Sequence, residues 1–451
     1  MSDIIAAIAT GRAPCAIGIL RLSGPGCAAL TGRVFTPKQP FADAPDRRLV
    51  LGLLHDRQGR VIDECLGVVC RAPHSYTGEE TVELQCHGSP AMLAAGLEAL
   101  LAAGARQAGP GEFTRRAFLN GKLDLTQAEA VVDLIDAETA DAAANAAGQL
   151  GGALKRAIEP VYDGLTDLCS HFHAVLDYPD EDIEDFGAAE LSGALDRAGA
   201  ALQELLATYE KGHHLRQGVR AVLLGKPNAG KSSLLNRLAG YDRVIVTDIA
   251  GTTRDTVEEP VRVGRVLLRL TDTAGIREAG DAIEALGVAR SEQAAREAEL
   301  ALFVCDASQP LTDEDRRAIE AAKCAPRSLA LCNKSDLPAA VSPDELPFDT
   351  VLTVSARTGA GLDALPALLE GWFLGENACD GSLLTNPRQF GALDRASRAI
   401  ARAKTGLGLG VTPDAVLTDV EEAMAALGEV TGRTVREDIT NRIFERFCVG
   451  K

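Results

Sequence analysis

The stretch VRAVLLGKPNAGKSSLLNRL, residues 219–238, decides the fold. Its first six residues are rich in branched apolar side chains and read as a buried strand. Gly225-Lys226-Pro227-Asn228-Ala229-Gly230-Lys231-Ser232 follows, and the amphipathic run from Ser233 to Leu238 reads as a helix. Glycines at the ends of that loop let the backbone wrap a phosphate chain, with N–H groups aimed inward at a helix N-terminus. In this pattern, GxxxxGK[ST] between a strand and a helix, Lys231 reaches the β- and γ-phosphates and Ser232 ligates Mg²⁺. Ala229, Gly230 and Ser233 complete the cradle.

Strand-like runs at 266–270, 300–305, 328–332 and 351–354 alternate with helical ones. That rhythm predicts a doubly wound, mostly parallel sheet with helices on both faces. Asp272-Thr273-Ala274-Gly275 ends the strand 266–270, where the Mg²⁺ shell needs a carboxylate and the Gly275 amide meets the γ-phosphate. Asn333-Lys334-Ser335-Asp336 ends the strand 328–332. Asp336 can accept from the N1–H and N2 amino group of guanine, a donor pair that adenine lacks. The Asn333 amide suits the other base edge, and the Lys334 stem can cover the base face. Ser355-Ala356-Arg357 would finish the pocket. In this order the motifs specify a guanine nucleotide. Ile276 stands where small signalling GTPases carry a water-orienting Gln, so another group must align the water. The segment 247–253 and Asn228 together offer neutral oxygens that suit a large monovalent cation such as K⁺.

Outward from this region the texture changes. Residues 1–118 mix short strand-like runs (16–22, 48–54, 64–70, 81–86) with one helix near 91–103, an α+β domain. Helical periodicity dominates 119–216 (128–135, 153–176, 189–209) and returns in 376–451 (390–405, 416–430, 435–448). DYPDEDIEDF, residues 177–186, reads as a loop. The economical reading is one discontinuous helical domain interrupted by the α/β insert at 217–375. The chain has 451 residues, 46 Lys and Arg against 64 Asp and Glu, and a net charge of −18. That balance excludes a generally basic nucleic-acid coat while allowing a local basic groove. Eleven cysteines stand without a CxxC pair, and the first ten residues have no basic run before their apolar ones. Reduced thiols, no export signal and no run long enough to span a membrane predict a cytoplasmic protein.

GKPNAGKSSLLN, TDIAGTTRD, DTAGIRE, NKSD and SARTG lie inside helical segments that end in Cys448-Val449-Gly450-Lys451. With GILRLSG, SYTGEE, VELQCHG and GEFTRRAFLNGKLDLTQAEAV in the N-terminal part, the whole chain resembles the MnmE (TrmE) family of tRNA-modifying GTPases. Val449 replaces the family's usual Ile. The resemblance implies GTP hydrolysis with K⁺-stimulated dimerisation of the G domains. It assigns K⁺ to Asn228, Thr247, Ile249 and Thr252, and Mg²⁺ to Ser232 and Thr253. Asp248, Ala250 and Gly251 complete the nucleotide-facing switch, Arg254 and Asp255 extend it and help order it, and Glu284 matches the glutamate that helps position the hydrolytic water. It implies an N-terminal domain that dimerises and holds a tetrahydrofolate derivative of the 5-formyl or 5,10-methylene type as one-carbon donor. Arg21, Glu83, Lys122 and Lys451 match that site, with the Cys448 thiol near it. Family members act with the flavoprotein MnmG (GidA) as a heterotetramer. They install an aminomethyl or carboxymethylaminomethyl group at C5 of the tRNA wobble uridine. Two other readings stand beside this one: a ribosome-assembly or signalling GTPase acting as a binding switch, and a folate-dependent aminomethyl transferase that its G domain merely regulates. The first would lack a use for the N-terminal domain, and no KH-type GXXG loop lies near the C-terminus.

Overall fold

The computed structural model describes residues 3–11, 13–37, 40–177, 188–241, 258–272, 292–375, 380–434, 443–445 and 447–450. The chain divides into two compact units, one formed by Met1–Val132, Leu150–Ala188 and Arg398–Lys451, the other by Asp133–Gln149 and Ala189–Ser397.

The first unit is built on a seven-stranded sheet of β1 (Ile5–Ile8), β2 (Cys15–Ser23), β3 (Phe35–Pro37), β4 (Val50–His55), β5 (Val61–Cys70), β6 (Thr81–Gly88) and β7 (Arg106–Gln107). Their spatial order is β3-β4-β5-β6-β2-β1-β7. All neighbours are antiparallel except β1 and β7. Strand alternation sorts the side chains by face. Leu20 and Leu22 of β2 are fully buried and join Leu54, Val69, Val82 and Leu84 in a core that includes Leu93, Ala99 and Leu100 of helix Pro90–Ala102. Arg21 points to the opposite face, directly across from Glu83. The same unit carries helices Ala153–Asp177 and Pro413–Thr431, where the Cys169 Sγ lies 3.4 Å from the Met424 Sδ.

The second unit carries a six-stranded sheet of β8 (Val219–Leu224), β9 (Glu258–Val263), β10 (Val266–Asp272), β11 (Leu300–Asp306), β12 (Arg327–Asn333) and β13 (Val351–Thr353). The order is β13-β12-β11-β8-β10-β9, parallel throughout except for the edge strand β9. β11 is buried along its whole length. Its alternate residues feed separate cores, Leu300, Leu302 and Val304 on one face, Ala301, Phe303 and Cys305 on the other. That is why the strand reads as a continuous apolar run rather than an alternating one. The sheet is therefore mostly parallel and covered on both faces, as its sequence rhythm predicts.

Some elements differ from expectation. The helix expected over 189–209 ends at Ala207, and a separate helix, Tyr209–Gln217, follows. At the junction the Thr208 hydroxyl donates to the Leu205 carbonyl and accepts from the Leu384 N–H, replacing helical bonding with a side-chain link. The helix expected over 435–448 does not reach Cys448: Val449 forms an antiparallel bridge with Pro110, and residues 435–442 lie outside the described residues. β1, β3 and the antiparallel β9 carry too few alternating residues to announce themselves. Residues 178–186 of the expected acidic loop also fall outside the described residues. Among the described residues, no helix is long and apolar enough to cross a membrane.

Candidate functional site

The C-terminal ends of β8, β11 and β12 converge on the loop 225–230. Gly225 has φ +143°, and a Cβ there would meet the Val304 carbonyl oxygen at 2.1 Å. Gly230 has φ +97°, and a Cβ there would meet the Asn333 Nδ2 at 2.1 Å. Only glycine fits at either place. Helix Lys231–Tyr241 starts immediately after the loop. The Lys231 Nζ donates to the carbonyls of Gly225 at 2.5 Å and Lys226 at 2.9 Å, curled back over its own loop. Ser232 and Ser233 are exposed at the helix start, and so is Asn228, whose φ of 60° is left-handed. β10 pairs with β8 so that Asp272 stands opposite Leu223, bringing its backbone beside the root of the loop.

Asn333 organises the second half of the site. It is 2% exposed; its Nδ2 donates to the Ala229 carbonyl at 2.8 Å, and its Oδ1 accepts from the Ala356 N–H at 2.9 Å. One carboxamide thus ties the phosphate loop to the Ser355–Arg357 segment. Sequence reasoning assigned this amide to a base edge; the structure engages its two polar atoms within the protein. Asp336 accepts from the Ser355 hydroxyl at 2.5 Å through Oδ1 and pairs with Arg357 at 2.8 Å through Oδ2. The Ser355 bond first, then its own backbone N–H and the charges of Arg357 and Lys334, hold its carboxyl below the usual range. An ionised carboxylate has about four acceptor sites, so capacity remains for two further N–H donors.

Lys334 adopts φ 66°, a conformation that costs a side-chain-bearing residue roughly 1–2 kcal/mol. It is held by an ion pair with Asp306 at 2.6 Å. Burial works against ionisation of Asp306, but Lys334 and Ser308 outweigh it and its carboxyl lies below its ordinary range. Sequence reasoning missed Asp306, although a signal was there. It ends the apolar run of β11 as Asn333 ends that of β12, and the two residues are register partners.

Of the residues singled out from sequence, Thr247, Asp248, Ile249, Ala250, Gly251, Thr252, Thr253, Arg254, Asp255, Thr273, Ala274, Gly275, Ile276, Glu284 and Lys451 lie outside the described residues, as does the side chain of Asp272. The remainder fall into two sets. Asn228, Ala229, Gly230, Lys231, Ser232, Ser233, Asn333, Lys334, Asp336, Ser355, Ala356 and Arg357 belong to the second unit, at the sheet end just described. Arg21, Glu83, Lys122 and Cys448 belong to the first unit.

In the first unit, Arg21 donates from Nε to the Glu83 Oε1 at 2.8 Å and from Nη1 to the Gly450 carbonyl at 3.4 Å. Its guanidinium lies 5.7 Å from the ring centre of Tyr76 and 5.8 Å from that of Phe113. Phe113 is fully buried, whereas Tyr76 is 39% exposed and is a further residue that sequence reasoning missed. The Tyr76 hydroxyl bonds Thr114 at 2.8 Å, and burial raises its pKa. Lys122 is exposed and near Gly78: a Cβ built there would stand 3.2 Å from the Lys122 Cγ. The Cys448 thiol is free and exposed, and its carbonyl accepts from the Gly111 N–H at 3.3 Å. The bridge at Val449 thereby seats the 448–450 segment beside Arg21.

Two family models match the chain. One, described as the GTP-binding protein TrmE N-terminus, covers residues 4–122, and the other, described as the MnmE helical domain, covers 125–448. The α/β sheet lies within the second range, so the fold is an α+β N-terminal domain followed by a helical domain into which a P-loop α/β domain is inserted. The tRNA modification GTPase MnmE of Roseiflexus sp. is 45% identical over 100% of this chain and 99% of its own length. The protein of that name from Chloroflexus aurantiacus is 43% identical over 100% of both chains, and that from Aquifex aeolicus 41% over 100% of both. With the whole length matched at such identity, this chain belongs to the family of tRNA modification GTPases named MnmE.

Proposed function

We propose that the protein hydrolyses GTP at the loop 225–232 and that this hydrolysis serves modification of tRNA. The observation that carries the reading is the pair of hydrogen bonds from the Asn333 carboxamide to Ala229 and Ala356, which gathers phosphate loop and base loop into one site. Asp336 reads the guanine N1–H and N2 amino group, with Ser355, Ala356 and Arg357 closing the pocket and Lys334 covering the base face. Lys231 leaves its two carbonyls for the β- and γ-phosphates. The exposed Ser232 hydroxyl at the helix start fits a Mg²⁺ ligand, joined by Thr253, with Asp272 and Gly275 serving the ion's outer shell and the γ-phosphate. Bound Mg²⁺ would neutralise charge on the phosphates. Asn228 is exposed beside the loop and fits a K⁺ ligand, completed by Thr247, Ile249 and Thr252. With Ile276 unable to orient water, Glu284 takes that role, and bound K⁺ would supply the charge that an arginine finger supplies elsewhere.

In the first unit, Glu83 offers an acceptor for pterin N–H groups, and Arg21, Lys122 and Lys451 offer cations for glutamyl carboxylates. The exposed ring of Tyr76 fits a flat heterocycle, while Phe113 is fully buried behind the Arg21 guanidinium. These residues fit a tetrahydrofolate derivative of the 5-formyl or 5,10-methylene type, whose chemistry is to supply one carbon. Cys448, exposed and two residues before the Gly450 carbonyl that Arg21 contacts, would join the set. The chain acts as a homodimer: Ile17, Leu51 and Leu53 leave apolar side chains exposed on the sheet face that also bears Arg21. It works in the cytoplasm with the flavoprotein MnmG to place a carboxymethylaminomethyl or aminomethyl group at C5 of the wobble uridine. The division 1–118, 119–216, 217–375 and 376–451 follows these roles. A net charge of −18 fits a chain that leaves much of the tRNA grip to its partner.

The test is phosphate release from GTP by the purified full-length chain, with and without the flavoprotein. Turnover is expected to fall about tenfold when Na⁺ replaces K⁺, about 1.4 kcal/mol of lost transition-state stabilisation. Equal rates in the two salts overturn the K⁺ assignment, and no GTP turnover in either overturns the reading.

A further inference from the structure

The phosphate loop is held by a buried ion pair as well as by Asn333. Lys226 follows Gly225, yet its side chain is only 11% exposed, and its Nζ pairs with the Asp315 Oδ2 at 2.9 Å. Asp315 is completely buried. It occupies the third position of helix Asp313–Ala322 and forms a capping box with Thr312. Thr312 donates its N–H at 2.9 Å and its hydroxyl at 2.8 Å to that same Oδ2. Three donors therefore meet on one oxygen, while the buried Oδ1 has no partner among the described residues. A capping box alone needs no burial of this kind, and a carboxylate removed from water is costly unless a cation accompanies it. The geometry reserves Asp315 for Lys226.

Lys226 is fixed at its other end as well, because its carbonyl, like that of Gly225, accepts from the Lys231 Nζ. The chain of contacts runs from helix Asp313–Ala322, through Asp315 and Lys226, to the lysine that meets the phosphates. We infer that Asp315 is a positioning residue for nucleotide binding, acting through Lys226 to preset the phosphate loop before the nucleotide arrives. This rests on the reading of the loop as a GTP site. Removing one member of a buried pair strands the other. In Asp315→Asn the Lys226 ammonium loses its counter-charge and is driven toward water, displacing the backbone at 225 and 226. GTP and GDP share the phosphates that this backbone cradles, so both should lose affinity by the same factor. The loss should appear in KM rather than kcat, as uniform binding energy does.

The experiment measures GTP and GDP affinity by fluorescent-nucleotide titration, and kcat and KM for GTP, on full-length Asp315→Asn, Lys226→Met and the double variant. Each single variant is expected to bind both nucleotides about tenfold more weakly, with the loss in KM, and the double variant to be no worse than either single. Affinities within about twofold of wild type overturn the inference, as does a double variant whose loss is the product of the two, since Asp315 would then act independently of Lys226. If Asp315→Asn does not fold, Lys226→Met alone decides: a tenfold loss in both nucleotides upholds the inference and unchanged binding overturns it. A wild-type chain that binds no guanine nucleotide overturns the functional reading and the inference with it. Normal wild-type binding with indifferent variants overturns the inference alone.

Discussion

Replacing Asn333 tests whether the phosphate loop and the base loop are one structure. Its carboxamide is 2% exposed and makes one bond to each loop, the Ala229 carbonyl at 2.8 Å and the Ala356 N–H at 2.9 Å. Asn333→Ala orphans both backbone groups in a buried setting, and each such group costs about 1–3 kcal/mol. The unit should therefore lose about 2–6 kcal/mol of unfolding free energy. Asn333→Asp keeps the acceptor for Ala356 but turns an oxygen toward the Ala229 carbonyl in place of a donor. It should be nearly as damaging as the alanine, although only one of the two bonds is lost. Urea unfolding monitored by fluorescence of the single tryptophan reads this unit directly, because Trp372 sits in helix Ala364–Phe373, with the Arg327 guanidinium 5.5 Å from its ring centre. GDP affinity measured alongside should fall in both variants. A loss below about 0.5 kcal/mol with unchanged GDP affinity would refute the reasoning, since that is the range of an ordinary surface substitution.

Gly230→Ala places a Cβ 2.1 Å from the Asn333 Nδ2 at a backbone φ of +97°. Nucleotide affinity should drop at least about tenfold by equilibrium titration, and a drop below twofold contradicts the close approach described. Asp336→Asn should move preference from GTP toward xanthosine triphosphate, whose C2 carbonyl accepts from the new amide, by about tenfold or more in competition binding. An unchanged preference removes Asp336 from base recognition. Glu299 is held at a pKa of about 2: burial opposes its charge, but bonds from His214 and the Arg220 N–H prevail. With its folded pKa depressed, its charge stabilises the fold above the ordinary 4.5, and this contribution disappears as pH falls through about 2. Glu299→Gln should therefore cost on the order of 1–3 kcal/mol near pH 7, with the difference from wild type shrinking below pH 4.5. A difference that is flat from pH 7 to pH 3 would sink this account.

The α/β unit was legible because its strands are buried on both faces and punctuated by loops with obligatory chemistry. Val219–Leu224 is found as expected, and the NKSD and SAR segments meet at one sheet end because parallel strands deliver their C-terminal ends together. What stayed hidden depended on partners distant in sequence. Nothing local distinguishes Asp315 from any acid in a capping box; its value lies in Lys226, 89 residues away. The inward use of the Asn333 amide was equally invisible, because the motif names the residue and not the direction of its side chain. In the first unit, Arg21 and Glu83 were named only through resemblance. The sheet makes sense of the pair, since the two face each other across β2 and β6. Tyr76 was overlooked because an aromatic residue in an α+β domain reads as core until its neighbours are known.

Guanine-nucleotide hydrolysis and tRNA modification are the two halves of the proposed role, and one measurement addresses both. Bulk tRNA from cells lacking this chain, complemented with wild type or with Lys231→Ala, would be digested to nucleosides and analysed by mass spectrometry. The account predicts that wild type restores C5-modified wobble uridine, while Lys231→Ala, folded and expressed to the same level, leaves the uridine unmodified. Full modification with Lys231→Ala, in a strain where its GTP turnover is abolished, would contradict the account.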